Sequence, residues 1–172
     1  QFHRDIYLET SKLLPTEFLQ SLFISELINP SSRIWISSPW INDIEIIDNT
    51  ARQFSTLVPH WPASRIRFSD LVGALLDKGS QIVVIANYSE HNEEFLSRLR
   101  VLQEFHSESL HIIRSRDVHE KGILTDKFTL DGSMNFTYRG VNINQEYLGY
   151  RCDPSVVHER KLTLEERWRG QY

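Results

Sequence analysis

Two kinds of apolar pattern alternate along the chain, one with the period of a helix and one of unbroken β-branched runs. In PTEFLQSLFISELINP (15–30), Phe18, Leu19, Leu22, Phe23 and Leu27 recur at helical spacing. Thr16 is placed to cap that helix, and Asn29-Pro30 ends it. RIWISSPWI (33–41) is β-branched and aromatic and is stopped by Pro39, which predicts a buried strand. RFSDLVGALLDKG (67–79) sets Phe68, Leu71, Val72, Leu75 and Leu76 on one helical face and stops at Gly79. QIVVIANY (81–88) is apolar nearly throughout, the pattern of a central strand covered on both sides. A second amphipathic helix follows in SEHNEEFLSRLRVLQEF (89–105), through Phe95, Leu99 and Leu102. LHIIRS (110–115) and EYLGYRC (146–152) predict two more strands, and VVHERKLTLEERWRGQ (156–171) a closing helix. Residues 42–64 carry neither period and are expected to be irregular, and a connection that long is often functional.

This order predicts an α/β fold, a mixed β-sheet flanked by helices on both faces, as one domain over 1–172. Sites in such sheets lie at strand ends. The 40% hydrophobic and 24% charged residues fit a soluble globular chain. No apolar run approaches the roughly 20 residues of a membrane span, and QFHRDIYLET lacks the basic start and apolar stretch of a signal peptide. A single cysteine, Cys152, excludes an internal disulfide and fits a reducing, cytoplasmic setting. No Cys/His cluster has zinc spacing, so neither metal nor cofactor is expected. The formal charge of −4 argues against a module that only coats nucleic acid, since such modules are basic. Arginines are nonetheless paired locally, at Arg65 and Arg67, Arg98 and Arg100, and Arg114 and Arg116.

The densest chemistry lies in VHEKGILTDKFTLDGSMNFT (118–137), which predicts a strand, a turn at Asp131-Gly132 and a second strand. Alternation puts His119 and Lys121 on one side of the first strand and Glu120 on the other. Asp126 falls opposite His119 if the strand stays regular. Ser133 and Asn135 alternate onto one face beyond the turn, so the hairpin gathers His119, Lys121, Ser133 and Asn135 into one patch. That patch suits a phosphate: Lys supplies charge, Asn and Ser supply donors, and His serves as nucleophile or acid–base. Glu146 is placed to hold the His tautomer, as the acid does in a Ser-His-Asp triad. Taken singly these residues are ordinary: a lone His is usually structural and Asp-Gly-Ser usually only a turn. The joint spacing is what carries the signal.

His119-x-Lys121, Asp126, Gly132-Ser133 and Asn135 resemble the HKD motif of the phospholipase D superfamily. Phe136-Thr137, the later Asn144-Gln145-Glu146 and the SSPWI after the first strand extend the likeness toward its small bacterial nucleases. The resemblance implies a phospholipase D-like fold and metal-independent phosphodiester cleavage. It implies His119 as a nucleophile forming a phosphohistidine, Lys121 and Asn135 as phosphate ligands, and Ser133 as a supporting polar group. It also implies Glu146 as the acid orienting a catalytic His, and Asp126 and Gly132 as structural positions. Glu120 departs from the family, which often has a small or apolar residue there; if it reaches the phosphate it repels it.

The chemistry needs a nucleophile and a separate general acid on opposite sides of phosphorus. No other histidine of the chain is followed by Lys two residues later. The expectation is a two-fold homodimer with one composite site. Three substrate readings stay open: a nuclease on DNA or RNA, a phospholipase or phosphatidyl-transferase, and a non-catalytic nucleic-acid-binding or scaffold member. The nuclease reading fits the small size, the single motif and the absence of a membrane span. Arg114, Arg116, Tyr138 and Trp61 are its candidate substrate contacts, with Trp40 a further aromatic read as ordinary core or rim packing. LFISELINP, SPWINDI, HNEEFL and GSMNFTY resemble a branch of the family found in bacterial clusters that insert 7-deazaguanine bases into DNA. That likeness implies other proteins of a DNA-modification and restriction system as partners.

Overall fold

The computed structural model describes residues 3–8, 15–142 and 146–172, with side chains over 16–141 and 148–172. Its parallel block is β2 (Arg33–Ser37), β5 (Gln81–Ala86) and β6 (Leu110–Arg114), paired side by side. Its antiparallel block is β7 (Gly122–Leu124), β8 (Thr129–Gly132), β9 (Glu146–Arg151) and β1 (His3–Leu8). The two blocks join where β2 meets β7 in antiparallel register, giving the order β1-β9-β8-β7-β2-β5-β6. A separate two-stranded sheet pairs β3 (Glu45–Asp48) with β4 (Arg65–Arg67).

Strand alternation buries both faces of the large sheet. Ile34, Ile36, Ile82 and Val84 face one core with α1 (Pro15–Ile28), α2 (Phe68–Asp77) and α3 (Glu93–Phe105). Trp35, Val83, Ile85 and Leu124 face a second core with Val157, Leu164 and Trp168 on or beside α5 (Pro154–Arg167). The mixed sheet with helices on both faces is therefore the observed architecture. Each fully buried Leu, Ile or Phe adds about 1.5–3 kcal/mol of transfer free energy. No helix among the described residues is long and apolar enough to cross a membrane.

Caps are set by nearby polar side chains. Asp153 starts α5, its carboxylate accepting from the Ser155 N–H at 2.9 Å with Pro154 at the first helical position. The Ser155 hydroxyl, and then that N–H bond, hold the Asp153 carboxyl below the usual carboxylate range. The start of α2 is capped from a distance: buried Asp43 accepts from the Ser69 N–H and Oγ, both at 2.8 Å. Thr16, expected as a cap, lies inside the first turn of α1, and its hydroxyl donates to the Val141 carbonyl at 3.5 Å.

Three expectations are corrected. Residues 42–64 are not wholly irregular, because Ile46 and Ile47 form β3 and bury themselves against α1 and α2. The segment His3–Leu8, not expected as an element, is a strand paired with β9. The hairpin does not turn at Asp131-Gly132. It turns at Asp126-Lys127, where the Thr125 N–H donates to the Phe128 carbonyl at 2.9 Å. Asp131 and Gly132 belong to β8, opposite Gly122 and Lys121.

Candidate active site

The displaced turn still leaves the four candidate positions at one end of the hairpin, though Ser133 and Asn135 are not among the residues lining the cleft there. His119 and Lys121 precede β7, and Ser133 and Asn135 follow β8. An antiparallel hairpin brings the entry of one strand beside the exit of the other. Thus the Gly132 N–H donates to the Lys121 carbonyl at 3.2 Å, and Gly122 pairs with Asp131. The joint to β2 adds a third wall, the Ser37 hydroxyl donating to the Glu120 carbonyl at 3.1 Å. His119, Lys121, Gly132 and Ser37 line one cleft of about 330 Å³, floored by Trp35, Leu124 and Leu164.

Asn135 is fixed from below. Its Oδ1 accepts from the Ser38 hydroxyl at 3.3 Å and the Trp40 N–H at 3.5 Å. The same Ser38 hydroxyl accepts from the Phe136 N–H at 3.1 Å. With its oxygen engaged, the amide's NH₂ is the part left for a ligand. His119 and Ser133 are exposed and Lys121 is half-buried. The other charges around the cleft are committed: Arg160 to Asp131 at 2.7 Å and Arg167 to Glu120 at 3.0 Å. Among the described residues Lys121 forms no ion pair, so it is the cation available to an anion. Arg167 also donates to the Asp117 carbonyl at 2.7 Å, tying α5 to both sides of His119. Glu120 is thereby held by Arg167, the group that offsets its charge.

The remaining sequence candidates separate. Asp126 is in the turn, not on a strand face. Its Oδ2 accepts from the Ser32 N–H at 2.6 Å and the Ser32 hydroxyl at 2.7 Å, pinning the hairpin to the start of β2. Gly132 ends β8 and is not a turn glycine. The Glu146 side chain lies outside the described residues. Trp61 is 2% exposed and part of the core, so it offers no stacking face. Trp40, expected to be an ordinary packing residue of core or rim, is 45% exposed. Tyr138 is exposed at the start of α4 (Tyr138–Asn142), and Arg116 is exposed after β6. Arg114 is engaged with Glu93, with the Asn87 carbonyl at 3.2 Å, and with the Tyr88 ring at 5.0 Å. Sequence reasoning missed Ser38, whose role depends on a residue 97 positions away, although SSPWI marks the strand end that carries it.

A family model described as "Cardiolipin synthase, PLD-like domain" matches residues 24–168. The chain belongs to the phospholipase D-like family. Its fold is shared with NucT from Helicobacter pylori, at 13% identity and a TM-score of 0.52, covering 96% of this chain and 94% of that one. Nuc from Salmonella typhimurium, a phospholipase D family member, aligns at 14% identity and a TM-score of 0.53 over 88% of both chains. A polyphosphate kinase from Porphyromonas gingivalis gives a TM-score of 0.63 at 14% identity, covering 95% of this chain. This phospholipase D-like chain spans about a quarter of that kinase, 25% of its length. At these identities the likeness to the solved structures is one of fold. No curated protein matches the chain in sequence.

Two predictions arise from the geometry of this phospholipase D-like site. A Cβ on Gly140 would stand 2.1 Å from the Asn135 carbonyl oxygen, which is backbone and cannot step aside. Gly140→Ala is expected to shift Asn135, lowering kcat by about ten-fold or more as well as the melting temperature; unchanged kinetics in a folded variant would refute it. Glu93 has its carboxyl lowered, first by the Arg100 hydrogen bond and then by the charges of Arg114 and Arg100. A depressed carboxyl stabilises the fold above its ordinary value of 4.5 and loses that contribution as pH falls through the lower folded-state value. Acid titration should therefore unfold Glu93→Gln at a higher pH than the parent, and coincident acid transitions would refute it.

Proposed function

We propose that the chain is one half of a metal-independent phosphodiesterase that cleaves DNA through a phosphohistidine on His119. The observation that supports it is that His119 and Lys121 before β7 and Asn135 after β8 lie at one end of the β7–β8 hairpin, with Lys121 in no ion pair among the described residues. An imidazole nitrogen of His119 attacks phosphorus and the bond to the leaving oxygen breaks. The leaving oxygen takes a proton from the His119 imidazolium of a second copy. Water, giving its proton to that second imidazole, then attacks phosphorus and displaces His119. Lys121 and the Asn135 amide hold the non-bridging oxygens, where negative charge concentrates in the transition state. The two-copy requirement follows from the geometry of in-line attack, which one imidazole cannot serve from both sides.

Cleavage of labelled single- and double-stranded DNA in excess EDTA, alongside sedimentation at micromolar concentration, tests both parts. A dimer that cuts supports the reading, whereas a monomer that cuts removes the composite site. The description of the matched family and the apolar floor of the cleft favour one second reading, transfer or hydrolysis of a phosphatidyl group. Headgroup release from cardiolipin-containing vesicles with DNA left intact would select it. The likeness of LFISELINP, SPWINDI and HNEEFL to DpdK, the phospholipase D-like protein of bacterial 7-deazaguanine clusters, suggests a setting of modification-linked restriction with partner proteins.

A further inference from the structure

Four tryptophans are present, and three of them are buried at 5% exposure or less. The fourth, Trp40, is 45% exposed and directly adjoins the site, since its own N–H donates to Asn135 Oδ1. Tyr88, 59% exposed, and Tyr138, 64% exposed, lie on the two neighbouring loops. All three loops leave the same edge of the sheet: after β2, after β5 and after β8.

These loops are locked to one another. The Asn87 N–H donates to the Pro39 carbonyl at 3.2 Å, joining the Tyr88 loop to the Trp40 loop. Asn92, fully buried, accepts from the Ile41 N–H at 2.8 Å and donates to the Pro39 carbonyl at 3.0 Å. The Asn42 N–H donates to the Phe136 carbonyl at 2.9 Å, joining the Trp40 loop to the segment that leads into Tyr138. The Tyr88 ring is backed by the Arg114 guanidinium, itself held by Glu93. The rings therefore sit on a pre-organised frame, so little ordering is left for a ligand to impose.

From this placement we infer that Trp40 and Tyr88, with Tyr138 beyond them, form a stacking rim for unpaired bases on either side of the scissile phosphate. The inference rests on the nuclease reading and narrows its substrate to single-stranded nucleic acid. Bases in a duplex are already stacked on each other, so only unpaired bases can lie on these rings. Exposed Arg116 and half-buried Lys121 at the same edge supply the charge that a polyphosphate backbone requires. A lipid surface would favour one continuous apolar patch, whereas these aromatics sit on three segments that also carry Asn42, Asn87 and Asn135.

The test uses the full chain and fluorescent twelve-residue strands, measured by anisotropy: oligo-dT, the same length of abasic phosphodiester, and a duplex. Trp40→Ala and Tyr88→Ala should each weaken oligo-dT binding by roughly ten-fold or more and leave abasic-strand affinity unchanged. Trp40→Phe should recover most of the loss, and circular dichroism checks that every variant is folded. Equal oligo-dT affinity in parent and variants overturns the stacking rim, and so does an equal loss on natural and abasic strands. If the parent still cuts DNA in either case, the nuclease reading stands without the rim. If the parent binds and cuts no strand at all, both fall together.

Discussion

Replacing His119 by alanine should lower the rate of DNA cleavage by about 10⁴-fold or more, the usual consequence of removing a covalent nucleophile. The fold should hardly respond. His119 is exposed and bears no hydrogen bond or ion pair among the described residues, so the melting temperature should stay within about 2 °C. Lys121→Ala and Asn135→Ala should cost less, because each removes one contact to a phosphate oxygen while leaving the bond-making group in place. A composite site sharpens the expectation. In a mixture of parent and His119→Ala chains, a hybrid pair retains one imidazole, which can attack but finds no acid for the leaving oxygen. Activity should then follow the fraction of parent–parent pairs, falling with the square of the parent fraction. A linear fall would mean that each chain works alone. Quenching the parent in mid-reaction on a strand labelled at every phosphate should trap label on protein, and His119→Ala should trap none.

Phe136→Ala should be the most destabilising single change near the site, at about 3–5 kcal/mol, the range for a buried phenylalanine truncated to alanine. For a chain of this size the melting temperature should drop by about 10 °C or more. Phe136 is 1% exposed and meets the Phe68 ring edge-on at 6.0 Å. Its backbone joins the Ser38 and Asn42 loops, with the N–H donating to Ser38 and the carbonyl accepting from Asn42. The cavity therefore opens beneath Asn135, and kcat should fall along with stability. Phe136→Leu fills most of the space and should recover the greater part of both. A urea melt showing a loss below about 1 kcal/mol would mean that the ring is not part of the packed core.

Periodicity carried the layout of the chain because burial on both faces of a sheet leaves long apolar runs, as in QIVVIA, where five of six side chains are buried. It did not carry the hairpin turn. Asp131-Gly132 has stronger local turn chemistry than Asp126-Lys127, yet the turn goes to the latter. There Asp126 binds Ser32 and Lys127 pairs with buried Glu26 at 3.1 Å, contacts made to the other end of the chain. The aromatic roles were illegible for the same reason. Trp61 and Trp40 have similar flanks, and only tertiary packing decides that one is core and the other rim. The candidate site residues were singled out by their spacing, and an antiparallel hairpin tolerates a shifted turn because its two open ends still meet.

The bond between Ser38 and Asn135 closes a gap of 97 positions. Closing so long a loop is slow compared with forming the helices or the hairpin itself. During synthesis Ser37, Ser38 and Trp40 leave the ribosome long before the hairpin exists, and they wait for it without their partners. On the proposed reading, His119 and Asn135 can act together only once β7 has docked onto β2, so that maturation and activation are a single event.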